Sequence, residues 1–303
     1  MQTRSETKRV MWQKKVSFSG SGTACSIRGS VASAAGIHRV WPTMLSAGLL
    51  VLTGIFFIAE AGAQSAAEKG MQIARDAYAA DDGFENFTAD LTMLLRNKQG
   101  QEHKRNLRIK VLEVKGDGDK SLFIFDNPRD VKGTAMLIHG RRDQADDLWL
   151  YLPALKRVKR ISSSNRSGSF VGSEFAYEDL GRSEVKKFTY TWLRDEPCGS
   201  MSCTVNELRP TQKGSGYSRQ LVWRDTDELR IWKIEYYDRK NSHLKTLTNG
   251  DFKQHRGKFW RPGQSNMVNH VTGKSTELVW ENYDFGARLN KQEFSQTGLR
   301  RIR

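Results

Sequence analysis

The sequence has few of the residues that build metal centres. Three cysteines occur in 303 residues, and Cys198 and Cys203 are the two that follow residue 63. The histidines of that part are scattered along the chain: His103, His139, His243, His255 and His270. A structural zinc site takes about four cysteine or histidine ligands at close spacing. The sequence therefore predicts no metal and no cofactor.

Motifs that carry catalysis are also missing. The tetrapeptide GKST at residues 273–276 resembles the end of a phosphate-binding loop, but Val268 stands where that motif needs a glycine. The serine within residues 168–172 is not central, as a nucleophile elbow requires. The acidic pairs at 146–147 and 178–179 are adjacent, so on an extended chain their carboxylates point to opposite faces. These absences favour a non-enzymatic protein, with a hydrolase as the weaker alternative.

The first 63 residues have the pattern of an export signal. Residues 1–43 are polar and basic, residues 44–59 are almost wholly apolar, and an AGA tripeptide ends at Ala63. A basic start, an apolar core of about 7–15 residues and a small-x-small site make a secretory signal peptide. The core is short for a bilayer span, which needs about 20 residues. We expect cleavage after about Ala63 and a periplasmic protein; an uncleaved signal anchor is the alternative.

Residues 64–303 are long enough to bury a sizeable core. Their length suits one large all-β domain or two small domains, and the lack of a long linker favours one. The whole chain carries 49 basic and 34 acidic residues, a net charge of +15. Such an excess favours anionic partners: lipid headgroups, an acidic protein surface or nucleic acid. Export argues against nucleic acid.

The two late cysteines fit the expected compartment. Cys198 and Cys203 flank a four-residue turn, Gly-Ser-Met-Ser. In an oxidising compartment, two nearby cysteines that flank a turn commonly form a disulfide. We therefore expect a Cys198–Cys203 disulfide that closes a small loop between two strands.

One helix and about twelve strands follow from the spacing of apolar residues. In residues 66–80, Met71, Ala74 and Tyr78 recur at helical spacing, whereas from residue 87 onward the period is two. The expected strands are at residues 87–95, 107–111, 121–125, 133–139, 148–152, 158–161, 188–193, 203–208, 218–223, 229–238, 244–249, 265–271 and 277–285. Short links between them favour an antiparallel meander that forms an incomplete, half-open β-barrel with one or more covering helices.

Two sets of alternating apolar residues are candidates for the wall of a ligand cavity. The first set is Leu91, Met93, Leu107 and Ile109. The second is Trp149 and Tyr151, which alternate with leucines. Such residues usually form a packed core. They line a cavity instead where a sheet curves around more space than its own side chains fill, and the residues alone leave both alternatives open.

A basic strand follows the second set. Lys156, Arg157, Lys159 and Arg160 place four positive charges within five residues, so both faces of this strand carry charge. A charged edge strand that resists aggregation is one explanation. The alternative is a docking surface for acidic headgroups or an acidic partner. Residues 162–172, rich in serine and the most flexible segment by composition, would belong to that surface.

Four blocks of the sequence resemble the outer-membrane lipoprotein-sorting family. They are FDNPRDVKGTA at residues 125–135, WLYLPALKRVKRI at 149–161, FVGSEF at 170–175 and YEDL at 177–180. The late FSQ at residues 294–296 with Leu299 fits the closing segment of the family. The resemblance therefore extends over nearly all of the chain after the export signal, although the family more often has aspartate at the position of Glu174.

The resemblance implies a fold like that of the LolA periplasmic lipoprotein chaperones. That fold is an incomplete antiparallel β-barrel with covering helices and an apolar cavity for acyl chains. The implied function is a non-enzymatic periplasmic carrier that passes lipid or lipoprotein cargo towards the outer membrane. Its partners would be acyl chains, an inner-membrane exporter and an outer-membrane acceptor. Some family members serve lipid exporters of the resistance-nodulation-division type, so an accessory subunit of such an exporter is the alternative.

Overall fold

The structure, a computed structural model, describes residues 64–302. The predicted signal peptide, residues 1–63, lies outside the described residues. Neither α-helix of the described part is long and apolar enough to cross a membrane. The helices are α1 (Ala66–Ala80) and α2 (Gln296–Leu299), and the strands are β1 (Asn86–Arg96), β2 (Glu102–Leu112), β3 (Lys120–Asn127), β4 (Ala135–His139), β5 (Asp147–Leu152), β6 (Arg157–Ile161), β7 (Phe188–Cys198), β8 (Met201–Pro210), β9 (Tyr217–Asp225), β10 (Ile231–Asp238), β11 (His243–Gly250), β12 (Lys253–His255), β13 (Phe259–Arg261), β14 (Gln264–Asn269) and β15 (Ser275–Phe285).

Thirteen strands form one antiparallel sheet in the order β6-β5-β4-β3-β2-β1-β15-β14-β11-β10-β9-β8-β7. The pairing of β15 with β1 joins the two runs of consecutive strands. The edge strands β6 and β7 do not pair with each other, so the sheet does not close into a barrel. The predicted open antiparallel meander is confirmed. The separate hairpin of β12 and β13 is not predicted, because strands of three residues carry little periodic signal.

The sheet curls around one apolar core. Strands lie about 4.8 Å apart, so thirteen of them laid flat would span roughly 60 Å. Yet Leu148 on β5 and Tyr190 on the edge strand β7 belong to one contiguous group of buried side chains, which we call the inner cluster. Its other strand members include Leu91, Met93, Leu107, Ile109, Phe125, Met136, Leu150, Leu208, Val222, Ile234, Met267 and Leu278. The face that carries them is the inner face of the sheet.

Strands β3 and β4 are covered on both faces. On β3, Phe123 joins the inner cluster, whereas its neighbour Leu122 belongs to a second cluster on the outer face. There the C-terminal residues Phe294 and Leu299 cover the sheet and are themselves buried. Because both faces of these strands are buried, the strands have continuous apolar runs instead of an alternating pattern.

The predicted disulfide is present. Cys198 at the end of β7 is bonded to Cys203 on β8, with the two Cα atoms 5.7 Å apart. Cys203 is fully buried on the outer face, in a small cluster with Val205 and Trp223. The bond therefore ties the edge strand β7 to its neighbour across the turn.

Helix α1 has the predicted bounds. The Ser65 hydroxyl accepts a hydrogen bond from the Glu68 N–H, and the Glu68 carboxylate accepts one from the Ser65 N–H. This reciprocal capping box satisfies two backbone donors at the start of the helix. One face of α1 then packs on β7, where Gly70 lies directly against the strand backbone and Ala74 joins the inner cluster.

Residues 162–187 connect the two edge strands, and we call them the crossing segment. Residues 162–172, the most flexible part of the chain by composition, contribute two buried side chains, those of Arg166 and Phe170. Phe170 is 0% exposed and, with Phe175, belongs to the inner cluster. Composition is a poor guide here, because a high serine content does not indicate where the rings of Phe170 and Phe175 pack.

The close packing of α1 on β7 generates a prediction. A Cβ atom at Gly70 would lie 2.6 Å from the backbone nitrogen of Trp192. Alanine favours a helix over glycine by about 1 kcal/mol, but neither backbone can yield easily. We therefore expect Gly70→Ala to lower the free energy of unfolding by roughly 1–3 kcal/mol. Urea denaturation measures it, with Arg75→Ala on the exposed face of α1 as the control. A more stable Gly70→Ala variant would contradict this contact.

Candidate functional site

The crossing segment fills the inner face of the curled sheet. The ring centroid of Phe170 lies 5.8 Å from that of Phe123 and 5.5 Å from that of Phe125, both on β3. The Tyr177 ring packs edge-on against Phe170 at 6.1 Å. A strongly curled sheet encloses more space than its own side chains occupy. The aromatic residues of the crossing segment occupy that space.

A buried ion pair fastens the crossing segment to the sheet. Nζ of Lys245, on β11, lies 2.7 Å from Oδ2 of Asp179, and the two side chains are 4% and 3% exposed. The same Nζ donates a hydrogen bond to the carbonyl of Glu174 at 2.8 Å. The Tyr217 hydroxyl donates to Oδ1 of Asp179 at 2.8 Å. Charges buried this deeply persist only when they are paired and hydrogen-bonded, and this pair meets both conditions.

Two glutamates extend the attachment. The Gly216 N–H donates a hydrogen bond to Oε1 of Glu178 at 2.8 Å, and burial raises the pKa of Glu178. Nδ2 of Asn269, on β14, donates to Oε2 of Glu174 at 2.7 Å. The Glu174 N–H donates to Oγ1 of Thr276, on β15, at 3.0 Å. The GSEFAYEDL block at residues 172–180 is therefore a docking element that holds the crossing segment on the inner face.

A pocket of about 520 Å³ remains between α1 and the sheet, and we call it the α1 pocket. Its volume lies within the usual range of small-molecule sites, about 300–1,000 Å³. Part of the lining of the pocket is apolar. It includes Ala74, Ala77, Val185, Leu208, Ile231 and Phe252. The pocket thus continues the apolar inner cluster towards the seam between the crossing segment and α1.

The charged part of the lining of the α1 pocket is mainly basic. Five basic and two acidic side chains line it: Arg182, Arg224, Arg230, Lys258 and Arg261, with Asp81 and Glu228. Desolvation lowers the pKa of Arg224 to about 10, so burial works against its charge. The pocket therefore combines an apolar wall with an excess of positive charge.

Arg182 ties the end of the crossing segment to three aspartates beside the pocket. Its guanidinium lies 2.9 Å from Asp82, 3.6 Å from Asp119 and 3.8 Å from Asp81, and 3.7 Å over the Tyr78 ring. Burial raises the pKa of Asp119 to about 6, with Arg182 acting in the opposite direction. Within residues 64–302 no group of potential metal ligands is assembled, so these carboxylates serve as ion-pair partners.

The structure separates the residues predicted to line a cavity into two groups. Leu91, Met93, Leu107 and Ile109 lie together, buried in the inner cluster. Trp149 and Tyr151 instead belong to the outer cluster beneath the C-terminal segment. Leu148 and Leu150 take the inner positions of β5. A period of two cannot tell which set faces inwards when both faces are covered.

The four predicted docking residues lie at the open edge of the sheet. Lys156 precedes β6, and Arg157, Lys159 and Arg160 lie on it, all exposed. Nη2 of Arg160 lies 2.5 Å from Oδ1 of Asp147 on the neighbouring strand. Among the residues that the structure describes, the other three have no carboxylate within 4.0 Å. A charged edge of this kind discourages pairing with another chain, and docking stays a prediction.

Two residues of the site were not predicted from the sequence. Lys245 and Arg224 both occupy inner positions of their strands, next to Leu247, which packs against the inner cluster, and next to the buried Val222. On β9, Val222 and Arg224 are two residues apart and therefore share a face. A basic residue on the apolar face of an alternating strand is the signal that could have identified both.

Comparison with known proteins adds a close relative. A family model described as an uncharacterized protein matches residues 117–301. A search of curated proteins finds no match. The chain is 50% identical to an outer-membrane lipoprotein-sorting protein domain from Vibrio parahaemolyticus, whose structure is solved. That similarity covers 77% of this chain and 99% of the Vibrio domain, with a TM-score of 0.76.

Two further solved structures share the architecture. A DUF1329 family protein from Desulfovibrio piger is 27% identical, with 78% of this chain and 99% of that chain covered and a TM-score of 0.74. A LolA superfamily protein from Nitrosomonas europaea is 21% identical, with 76% and 98% covered and a TM-score of 0.61. The last likeness concerns the fold alone.

The buried ion pair generates a prediction about the crossing segment. Lys245→Met or Asp179→Asn alone leaves the partner charge buried without compensation, which costs about 3–5 kcal/mol. The double variant removes both charges, so its loss of unfolding free energy should be clearly smaller than the sum of the two single losses. Urea denaturation of the four proteins completes the cycle. Additive losses would mean that the two side chains do not interact.

Proposed function

Because the chain belongs to the outer-membrane lipoprotein-sorting family, we propose that it is a periplasmic carrier of lipid or lipoprotein cargo. Acyl chains of the cargo leave water for the apolar interior of the curled sheet. The protein then passes the cargo towards the outer membrane without changing it chemically. The observation that carries this proposal is a pocket under α1 whose apolar wall continues the inner cluster. The 50% identity with the Vibrio domain supports it.

The energy for such binding comes from apolar burial. Each methylene that leaves water contributes about 0.8 kcal/mol. About ten methylenes therefore approach 8 kcal/mol, which corresponds to a micromolar Kd before the cost of association is subtracted. The small side chains Ala74 and Ala77 on the pocket face of α1 leave room for a chain to lie against the helix.

The proposed cargo path has two parts. The α1 pocket receives the acyl chain first. Leu91, Met93, Leu107 and Ile109 form the wall of a deeper part, which is filled by Phe170 and Phe175 in the present arrangement. Cargo reaches that wall when the crossing segment moves away. Trp149 and Tyr151 are not part of the path, because they lie on the outer face.

The compartment and the partners belong to the same proposal. Export is proposed from the signal pattern of residues 1–63 and is consistent with the Cys198–Cys203 disulfide, since such bonds persist in oxidising compartments. An inner-membrane exporter or sorting complex would deliver the cargo, and an outer-membrane acceptor would receive it. Nucleic acid is not a proposed partner.

The carrier proposal predicts that filling the α1 pocket prevents binding. Ala77→Trp places an indole in the pocket and should weaken binding of a fluorescent acyl probe by about tenfold or more, because the chain loses its apolar wall. Ala79→Trp is the matched control: Ala79 is exposed on the same helix and does not line the pocket. Probe titration measures both, and native mass spectrometry detects lipid that copurifies. A wild-type protein that binds no acyl probe and carries no lipid would contradict the proposal.

The second candidate is an accessory subunit that docks on an inner-membrane exporter without carrying cargo. One observation favours it: Lys156, Arg157 and Lys159 are exposed at an open sheet edge, with no carboxylate within 4.0 Å in the described part of the chain. Three such charges within four residues suit an acidic protein surface or anionic headgroups. Docking and carrying are compatible, and the charged edge serves either function.

Docking at β6 predicts a salt-sensitive loss on charge reversal. Arg157→Glu combined with Lys159→Glu should reduce recovery of membrane partners and binding to anionic vesicles. Added salt should also weaken binding of the wild-type protein, because the electrostatic screening length falls to about 8 Å at physiological ionic strength. Lys98→Glu with Lys253→Glu, both exposed, in the β1–β2 turn and on β12, makes the matched control. If the β6 variant behaves as the wild type does, the strand is only a protected edge.

A further inference from the structure

Arg224 stands out because of the face it occupies. On β9 its neighbours Trp223 and Asp225 point to the outer face, where Trp223 belongs to a buried cluster with Val205. Arg224 alternates with them and therefore points inwards, on the same face as Val222 of the inner cluster. There it lines the α1 pocket. The chain thus places a guanidinium at the border of its apolar interior.

The other pocket arginines already have partners. Arg182 lies 2.9 Å from Asp82. Arg230 lies 2.9 Å from Asp225. Arg261 lies 2.6 Å from Asp81. The remaining acidic residue of the pocket, Glu228, accepts a hydrogen bond from the Trp260 indole at 2.8 Å.

Arg224 differs from these three. Its Nη1 donates to the carbonyl of Leu229 at 3.2 Å. Within residues 64–302 no carboxylate oxygen lies within 4.0 Å of its guanidinium. Burial lowers its pKa to about 10, while Asp81 and Asp225 act from a distance in the opposite direction. The half-buried guanidinium of Arg224 lines the pocket without a counter-ion among the described residues, and an anion in the pocket would supply one.

The surroundings of Arg224 restrict the kind of anion. The Tyr190 ring lines the same pocket, and burial raises the pKa of its hydroxyl to about 12, so it remains a neutral donor. The small and aliphatic side chains Ala74, Ala77 and Leu208 line the same pocket. A small hydrophilic anion would leave this wall in contact with water, and a neutral lipid would leave Arg224 without a partner.

We propose that the α1 pocket selects anionic amphiphiles, with Arg224 holding a carboxylate or phosphate headgroup and the alkyl chain lying against α1. This inference rests on the proposed carrier function and names the chemical class of its cargo. Guanidinium pairs with carboxylate and phosphate oxygens through two parallel hydrogen bonds, a geometry that lysine cannot reproduce. The headgroup sets the orientation, and the chain supplies the apolar contact.

The test compares probes that differ in headgroup only. Dodecyl phosphate and dodecanoate are expected to bind the wild-type protein about tenfold or more tightly than 1-dodecanol, since a hydrogen bond to a charged group is worth that much. Arg224→Gln should lose this preference and keep the affinity for 1-dodecanol, and Arg224→Lys should retain part of it. Arg219→Gln is the matched control, because Arg219 lies on the same strand, stacked on Tyr237.

The outcomes separate this proposal from the carrier function. If 1-dodecanol binds the wild type as tightly as the anionic probes, the headgroup selection is overturned and the carrier function stands. If no alkyl probe binds, the carrier function itself falls. If inorganic phosphate displaces the probe as well as dodecyl phosphate does, the pocket is a plain anion site and the amphiphile proposal fails. The comparison of the anionic probes with 1-dodecanol on the wild-type protein tests the headgroup selection even if Arg224→Gln does not fold.

Discussion

The constraint on which the structure depends is the space inside a strongly curled sheet. Thirteen strands wrapped around one inner cluster enclose more volume than their inward side chains fill. The sheet is not closed, so elements from outside it must complete the interior. Phe170 and Phe175 of the crossing segment fill one part, α1 covers another, and the α1 pocket is the part left over.

The way the crossing segment is held follows from this constraint. Apolar contacts bring Phe170 into the interior, but they do not define a single position. The Asp179–Lys245 pair, the Tyr217 hydroxyl and the backbone contacts of Glu174 define it through directional bonds. Charged groups at this depth have few alternative partners, so displacing the segment means breaking the whole set together. Such an attachment suits an interior that is either occupied by the protein itself or exchanged for cargo.

The polar residues of the α1 pocket also follow from its place at the seam. Arg182 and Arg261 meet aspartates near the end of α1, so the helix is held by charge at one end and by close packing on β7 at the other. Arg224 alone among the pocket arginines of the described chain lacks such a partner. The interior is therefore apolar in its depth and positively charged where it meets solvent, which matches the two ends of an amphiphile.

The sequence by itself determined the bounds of α1, the antiparallel meander, the disulfide and the family, because these depend on spacing and on motifs within short stretches of chain. It also grouped Leu91 and Met93, and Leu107 and Ile109, correctly on one face. Tertiary structure alone decided that Trp149 faces outwards and that the serine-rich crossing segment fills part of the interior. It alone joined Asp179 to Lys245, 66 residues away, and left Arg224 without a carboxylate. The physical reason is that facing and pairing depend on contacts between distant segments, and local periodicity carries no record of which segments meet.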